Sequence, residues 1–240
     1  MVYKRILLKL SGELLGGNES GSPFNKESLN SIARDLKGIR NNGIEIAIVL
    51  GGGNILRGKD VSWMHREYAD RMGMMATVLN GLALKQALDE IDTKSIVMGS
   101  FAVKECVREF SHEEALKAIK NCILLFTGGT GNPYFSTDSA AALRGIQISA
   151  DCLLKGTKVD GVYDRDPKKY KDAQRYSSIS FREAIEKQLQ IMDMTAFALC
   201  MENNLPVLVF DITKRGNLLK ILSGEKIGTL VSGGGENERS

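Results

Sequence analysis

The sequence predicts an α/β fold with a largely parallel sheet. Short continuous apolar runs, the pattern of strands buried on both faces, alternate with segments of helical apolar spacing. Glycine is abundant, at 25 of 240 residues, and it clusters directly after the apolar runs. Those are the positions of strand-to-helix turns in such a fold.

The elements follow in order. Residues 3–10 (YKRILLKL) form the first strand, closed by Ser11-Gly12-Glu13. Leu29, Ile32, Ala33, Leu36 and Ile39 keep helical spacing over 25–41, and Gly43 supplies the stop. A second strand, 44–50 (IEIAIVL), runs into Gly51-Gly52-Gly53. The segment 71–91 is helical, with Met72, Met75, Val78, Leu79, Leu82 and Leu88; its methionines are expected to fill core space. Residues 95–99 form a third strand, and Ser111 to Glu114 match a capping box opening a helix at 112–120. The fourth strand, 122–126 (CILLF), precedes Thr127-Gly128-Gly129-Thr130-Gly131. A helix then begins with Asp138 in its first turn; either Thr137 or Asp138 is simply its cap, or Asn132 and the backbone there read a base or other polar group. The fifth strand, 151–155, ends at Gly156-Thr157. Ser180 and Glu183 match another capping box, Asp193 caps a helix at 194–203, and 206–210 (PVLVF) is the sixth strand. No composition break divides the chain. One domain over 1–232 is expected, with 233–240 as a disordered tail.

Composition narrows the function. With 32 Lys+Arg against 29 Asp+Glu the net charge is +3, which argues against a nucleic-acid or membrane-surface partner. At 43% apolar and 25% charged the chain is not a disordered one. No run approaches the roughly 18 apolar residues of a membrane span, and the first ten residues lack the features of a secretory signal. Cys106, Cys122, Cys152 and Cys200 have no CxxC spacing and sit among apolar neighbours. They are expected to be reduced core residues of a cytoplasmic protein. His65 and His112 are isolated surface residues, so no protein-held metal is expected.

The glycine turns at 11–12, 51–53 and 127–131 carry the chemistry. Glycine lets backbone N–H groups converge and lets a phosphate approach closely. Each turn alone is compatible with an ordinary connection; three together point to a multiply charged phosphate ligand. Gly53 to Asp60 fits GxxxxGK but ends in Asp where a P-loop needs Ser or Thr, and Leu56 breaks a GxGxxG reading. Lys9 and Lys155 each end a strand beside a glycine turn, and Arg57 follows the triple glycine. Taken singly, each cation is also compatible with snorkelling to solvent. Together they converge where negative charge concentrates, with Lys9 and Lys155 expected to approach from opposite strand ends. Thr130 to Ala141 joins a glycine turn, an amide, two aromatics and a hydroxyl pair to a helix start, a favoured place for anions. Lys155 to Pro167 adds a polar loop with a tyrosine among carboxylates, suited to adenine and ribose or simply a hairpin.

These segments resemble the bacterial uridylate kinases (UMP kinases) of the amino acid kinase superfamily. The matching pieces are KRILLKLSGE at 4–13, GGGN and Arg57-Gly58 within 51–58, Asp70 with MGM at 72–74, and TGNPYFSTDSAAALRG at 130–145. LLKGTKVDGVYDRDP at 153–167 and MDMTAFALC at 192–200 continue the match. The resemblance implies an αβα sandwich, a cytoplasmic homohexamer, and transfer of the ATP γ-phosphoryl to UMP with Mg²⁺ in pyrimidine nucleotide synthesis. It implies that Lys9, Leu10, Ser11 and Gly12 cradle the ATP phosphates, and that Gly53 and Arg57 lie between the two phosphates. Gly52 would face UMP, and Asp70 its ribose. Thr130, Gly131, Asn132, Pro133, Tyr134, Phe135, Ser136 and Thr137 would recognise uridine. Asp138 would organise Lys9 and Lys155; Asp193 is a further polar organiser. Thr157, Tyr163 and Asp166 match adenosine-binding positions. The family loop tied to GTP activation falls on Gly17, Asn18, Glu19, Ser20, Gly21 and Ser22; UTP inhibition is a family expectation. The alternatives are a related kinase forming an acyl or carbamoyl phosphate, and a non-catalytic uridine-nucleotide sensor.

Overall fold

The computed structural model describes residues 1–16, 22–56 and 61–233. The expected loop residues Gly17 to Gly21, the cation Arg57 and most of the expected tail lie outside them. Among the described residues nine strands form one sheet: β1 (Arg5–Leu10), β2 (Glu45–Leu50), β3 (Ser95–Gly99), β4 (Arg108–Glu109), β5 (Ile123–Thr127), β6 (Cys152–Thr157), β7 (Ser178–Ser180), β8 (Val207–Asp211) and β9 (Thr229–Ser232). Their order is β4-β3-β5-β2-β1-β6-β8-β9-β7, with every neighbouring pair parallel except β8–β9. The helices are α1 (Lys26–Asn41), α2 (Arg66–Asp89), α3 (His112–Ala118), α4 (Thr137–Gln147), α5 (Phe181–Glu186), α6 (Met194–Glu202) and α7 (Asn217–Leu222); a 3₁₀ turn spans Gly12–Leu14.

Side chains on a strand alternate between faces, and the two cores follow that period. Ile6, Leu8, Ile46 and Ile48 pack with Leu36, Ile39, Leu84 and Leu218, so α1, α2 and α7 cover one face. Leu7, Ala47 and Val49 pack with Ala115, Ala141, Ala184 and Phe197, so α3 to α6 cover the other. This is the αβα sandwich. From β1 the chain proceeds through α1 to β2 on one side, while β6 continues to β8 on the other side. The strand order therefore reverses between β1 and β6, and the crevice beyond their carboxyl ends is where open α/β sheets bind ligands.

All six strands expected from the sequence are present. The three additional strands, β4, β7 and β9, span two to four residues and are edge or near-edge pieces without a continuous apolar run. Two expectations are corrected. Met72, Met75 and Leu79 are 45%, 46% and 49% exposed, because α2 is apolar on two faces and Met74, Val78, Leu84 and Leu88 take the inward one. Cys106 is exposed, unlike the three buried cysteines. Burial pushes the Cys152 and Cys200 thiols up to about 12, which leaves them inert.

Candidate active site

The site begins with register. Lys9 of β1 pairs directly with Lys155 of β6, as Leu7 does with Leu153. The lysines therefore do not approach from opposite strand ends; they stand side by side at the same ends of adjacent parallel strands. By the two-residue period both share a face with Leu7 and Leu153, the face covered by α4. Like charges opposed across strands repel. Asp138, in the first turn of α4, resolves this. Its Oδ2 accepts a hydrogen bond from Lys155 Nζ at 2.6 Å, and its Oδ1 lies 2.8 Å from Lys9 Nζ. The three side chains are only 13–14% exposed.

Charge balance sets their protonation. Burial on its own would raise the Asp138 carboxyl, but the Lys9 and Lys155 charges and the hydrogen bond from Lys155 outweigh it, holding the group below the usual carboxylate range. The positive end of α4 adds to this. Burial pulls the Lys155 ammonium down from its ordinary value, against the opposing charge of Asp138. Two cations and one anion leave a net positive charge at the strand ends, suited to a polyphosphate.

A second carboxylate braces the first. Ser136, not Thr137 or Asp138, is the N-cap of α4: its Oγ accepts from the N–H groups of Asp138 and Ser139. The Ser136 hydroxyl donates to Asp193 Oδ2, and Ser139 Oγ donates to Asp193 Oδ1 at 2.9 Å. Asp193 also caps α6, accepting from Ala196 N at 3.0 Å. Lys155 Nζ donates further to the Ile191 carbonyl at 2.5 Å. Asp193 thus locks the start of α4, and with it Asp138, and among the described residues it has no hydrogen bond to a lysine.

The glycine turns pack where a side chain has no room. A Cβ on Gly12 would lie 2.7 Å from the Gly51 carbonyl oxygen, and one on Gly52 would lie 2.8 Å from the Gly73 carbonyl oxygen of α2. The turns after β1 and β2 therefore touch each other and the helix backbone. Next to them opens a cavity of about 330 Å³ walled by Gly52, Gly53, Asp70, Thr130, Asn132, Phe135, Ser136 and Thr137. Leu56, Ala69, Gly73, Met74, Thr77 and Gly129 complete it. Gly131, Pro133 and Tyr134 belong to the same loop but do not line it. Tyr134 instead holds the loop: its N–H donates to Asp70 Oδ2 at 2.7 Å, its φ is +73°, and the Arg66 guanidinium stacks on its ring. Such a φ is strained for a residue with a side chain, and strain of this kind clusters at ligand clamps.

Thr157, Tyr163 and Asp166 lie apart from this cavity, in and after β6. Thr157 Oγ1 bridges the N–H and carbonyl of Val159, Tyr163 Oη donates to Asp160 Oδ1 at 2.7 Å, and Asp166 Oδ1 accepts from Lys168 N. Leu10 is fully buried, so only its backbone is available to a ligand. Ser11 precedes the 3₁₀ turn. The residues sequence reasoning missed are Thr77, Asn80 and Ser139. Thr77 Oγ1 donates to the Met74 carbonyl and accepts from Gly128 N at 2.7 Å, tying α2 to the turn after β5. The available signal was a polar side chain on the inward face of an apolar helix. Among the described residues no three His, Cys, Asp or Glu side chains converge to hold a metal.

The amino acid kinase family matches residues 4–211, most of the chain. The chain belongs to the amino acid kinase family. Among solved structures, this family member is similar to a UMP kinase from Bacillus anthracis, with 34% identity over 97% of each chain and a TM-score of 0.93. It is 42% identical to a UMP kinase from Ureaplasma parvum over 97% of this chain and 100% of that one, with a TM-score of 0.91. A uridylate kinase from Archaeoglobus fulgidus, 23% identical over 94% of this chain and 99% of that one, shares the fold at a TM-score of 0.72.

Proposed function

We propose that the protein transfers the γ-phosphoryl group of ATP to UMP, giving UDP and ADP. The observation that carries this reading is the Lys9–Asp138–Lys155 cluster at the β1/β6 reversal, beside a cavity bounded by a glycine turn and the Thr130–Thr137 loop. The similarity to two UMP kinases across nearly the whole chain supports the acceptor.

In this mechanism an oxygen of the UMP phosphate attacks the γ-phosphorus, and the bond to the β,γ-bridging oxygen breaks. The nucleophile is already ionised at neutral pH, so no general base is needed. Positioning and charge neutralisation supply the acceleration. Lys9 sits on the transferring group and Lys155 on the developing charge beside it. Asp138 keeps both ammonium groups in place, and Asp193 keeps Asp138 in place. Backbone N–H groups of Ser11 and Gly12 receive the ATP phosphates, with Gly53 and Arg57 between donor and acceptor. Gly52 faces the UMP phosphate and Asp70 the ribose. Thr130 to Thr137 read the uracil, and Thr157, Tyr163 and Asp166 hold adenosine. Mg²⁺ carried by ATP would supply neutralisation of phosphate charge; Asp138 would not hold it, since both of its oxygens already face lysines.

The proposal extends to a cytoplasmic homo-oligomer, a hexamer, serving pyrimidine nucleotide synthesis, with GTP as activator and UTP as inhibitor. Tyr68, Met72, Met75 and Leu79 support the assembly: all are exposed on one helix. No helix among the described residues is long and apolar enough to cross a membrane. A coupled ADP-release assay with MgATP and a panel of UMP, CMP, dTMP, AMP, N-acetylglutamate and carbamate tests the reaction. Turnover restricted to UMP is expected. Turnover with an acid or carbamate would replace the reading with acyl or carbamoyl phosphate formation, and UMP binding without turnover would replace it with a sensor.

A further inference from the structure

Asn80 stands in the middle of α2 and is fully buried, although its carboxamide has no use in the helix. A buried amide is tolerated only when it is paired. Its Nδ2 donates both hydrogens, to the Gly51 carbonyl at 2.6 Å and to Asn54 Oδ1 at 2.8 Å. Its Oδ1 accepts from Asn54 Nδ2 at 3.0 Å. Asn54 uses its second Nδ2 hydrogen on the Pro23 carbonyl at 2.7 Å. The two side chains form a reciprocal amide pair. Turning Asn80 over would set its carbonyl against that of Gly51, so the network admits one orientation.

The pair lies under the glycine turns. A Cβ on Gly12 would sit 2.4 Å from Asn54 Oδ1 and 2.7 Å from the Gly51 oxygen, so the turn after β1 rests on the very atoms that Asn80 holds. The Gly51 N–H donates to the Leu10 carbonyl at 2.8 Å, closing the same contact from the backbone. In a trans peptide the carbonyl and the following N–H point in opposite directions. Pinning the Gly51 carbonyl on Asn80 therefore sets the direction of the Gly52 N–H, on the cavity wall.

We propose that Asn80 is a positioning residue for phosphoryl transfer. Through Asn54 and the Gly51 carbonyl it sets the turn at 11–12 against the turn at 51–53, and so sets the approach of donor and acceptor phosphates. It touches neither nucleotide. The inference rests on the kinase reading above and adds to it a residue outside the nucleotide contacts.

The test compares the unaltered protein with Asn80→Asp, Asn54→Ala and the double variant. Asn80→Asp keeps size and acceptor but opposes the Gly51 carbonyl with a carboxylate. Asn54→Ala breaks the same pair from its less buried member, which protects the experiment if Asn80→Asp does not fold. Displacement of reacting groups by an ångström costs about 10²-fold, so kcat is expected to fall by about that factor. Equilibrium binding of ATP and UMP, measured separately, should change by less than about threefold, the mark of an interaction expressed in the transition state. The double variant should lose little more than either single one, because both substitutions remove one device. Folded variants with unaltered kcat would overturn the proposal. So would losses that multiply in the double variant, or activity that merely tracks the folded fraction. Unaltered protein that binds UMP without turning it over would overturn the kinase reading and this inference together; normal turnover with indifferent variants would overturn the inference alone.

Discussion

Two lysines paired across adjacent strands are destabilising by themselves, and Asp138 makes the arrangement tolerable while leaving a positive balance for phosphate. Removing Lys9, Lys155 or Asp138 should therefore lower turnover sharply without unfolding the chain. Each loss corresponds to about 2.7–4 kcal/mol of transition-state stabilisation, the usual worth of one preorganised electrostatic group. Steady-state kinetics on the three alanine variants, with circular dichroism as the fold control, checks this; near-normal turnover in all three would reject the assignment. The depressed Asp138 carboxyl also gives stability a pH dependence. The unfolded chain binds its proton near the ordinary value of 3.8, the folded chain only below it. Stability from this group is thus fully present above pH 3.8 and is lost as pH falls through the lower folded value. In Asp138→Asn the melting temperature should decline less steeply over that acid range. Parallel acid profiles for the two proteins would show that the carboxylate is not held ionised.

At the scale of the element, α2 does three jobs with three faces. Val78, Leu84 and Leu88 face the sheet, Gly73 and Thr77 the cavity, and Tyr68, Met72, Met75 and Leu79 face outward. The outward residues recur in alternate steps of four and three, the seam a partner helix accepts. If the proposed homo-oligomer uses this seam, Met75→Glu with Leu79→Glu should give smaller species by light scattering; an unchanged mass would place the interface elsewhere. The close packing of α2 against the turn after β2 gives a second expectation. Gly52→Ala puts a Cβ 2.8 Å from the Gly73 carbonyl oxygen, so backbone must move at the cavity wall. UMP affinity should fall in titration calorimetry while ATP affinity holds. Equal loss of both would point to a general loosening of the site.

For the whole molecule, one sheet sandwiched by helices presents the turns after β1, β2 and β5, and the residues that follow β6, at a single end. The proposed donor and acceptor sites therefore share one continuous sheet as their scaffold. A ligand that binds only the folded chain stabilises it by mass action, by about 2.7 kcal/mol at a hundred times its dissociation constant. UMP and a non-hydrolysable ATP analogue should each raise the melting temperature, and both together should raise it further. A rise with UMP that disappears once the analogue is present would mean that the two compete for one site.

The sequence by itself determined the alternation of strands and helices, the glycine turns, the helix caps at Ser111, Ser180 and Asp193, and the choice of Lys9, Asp138 and Lys155 as candidates for the chemistry. Those signals are local: a few neighbouring residues set strand period, helix spacing and turn conformation. Tertiary structure alone decided that Lys9 and Lys155 are side by side, because register between β1 and β6 is set by packing of distant segments. It decided that Met72, Met75 and Leu79 look outward, since a helix apolar on two faces does not say which one the sheet takes. It supplied β4, β7 and β9, too short to carry a pattern of their own and held by their neighbours. It also gave Asn80 its meaning, for a carboxamide inside an apolar helix is explained only by the Gly51 carbonyl and Asn54 that the fold brings beneath it.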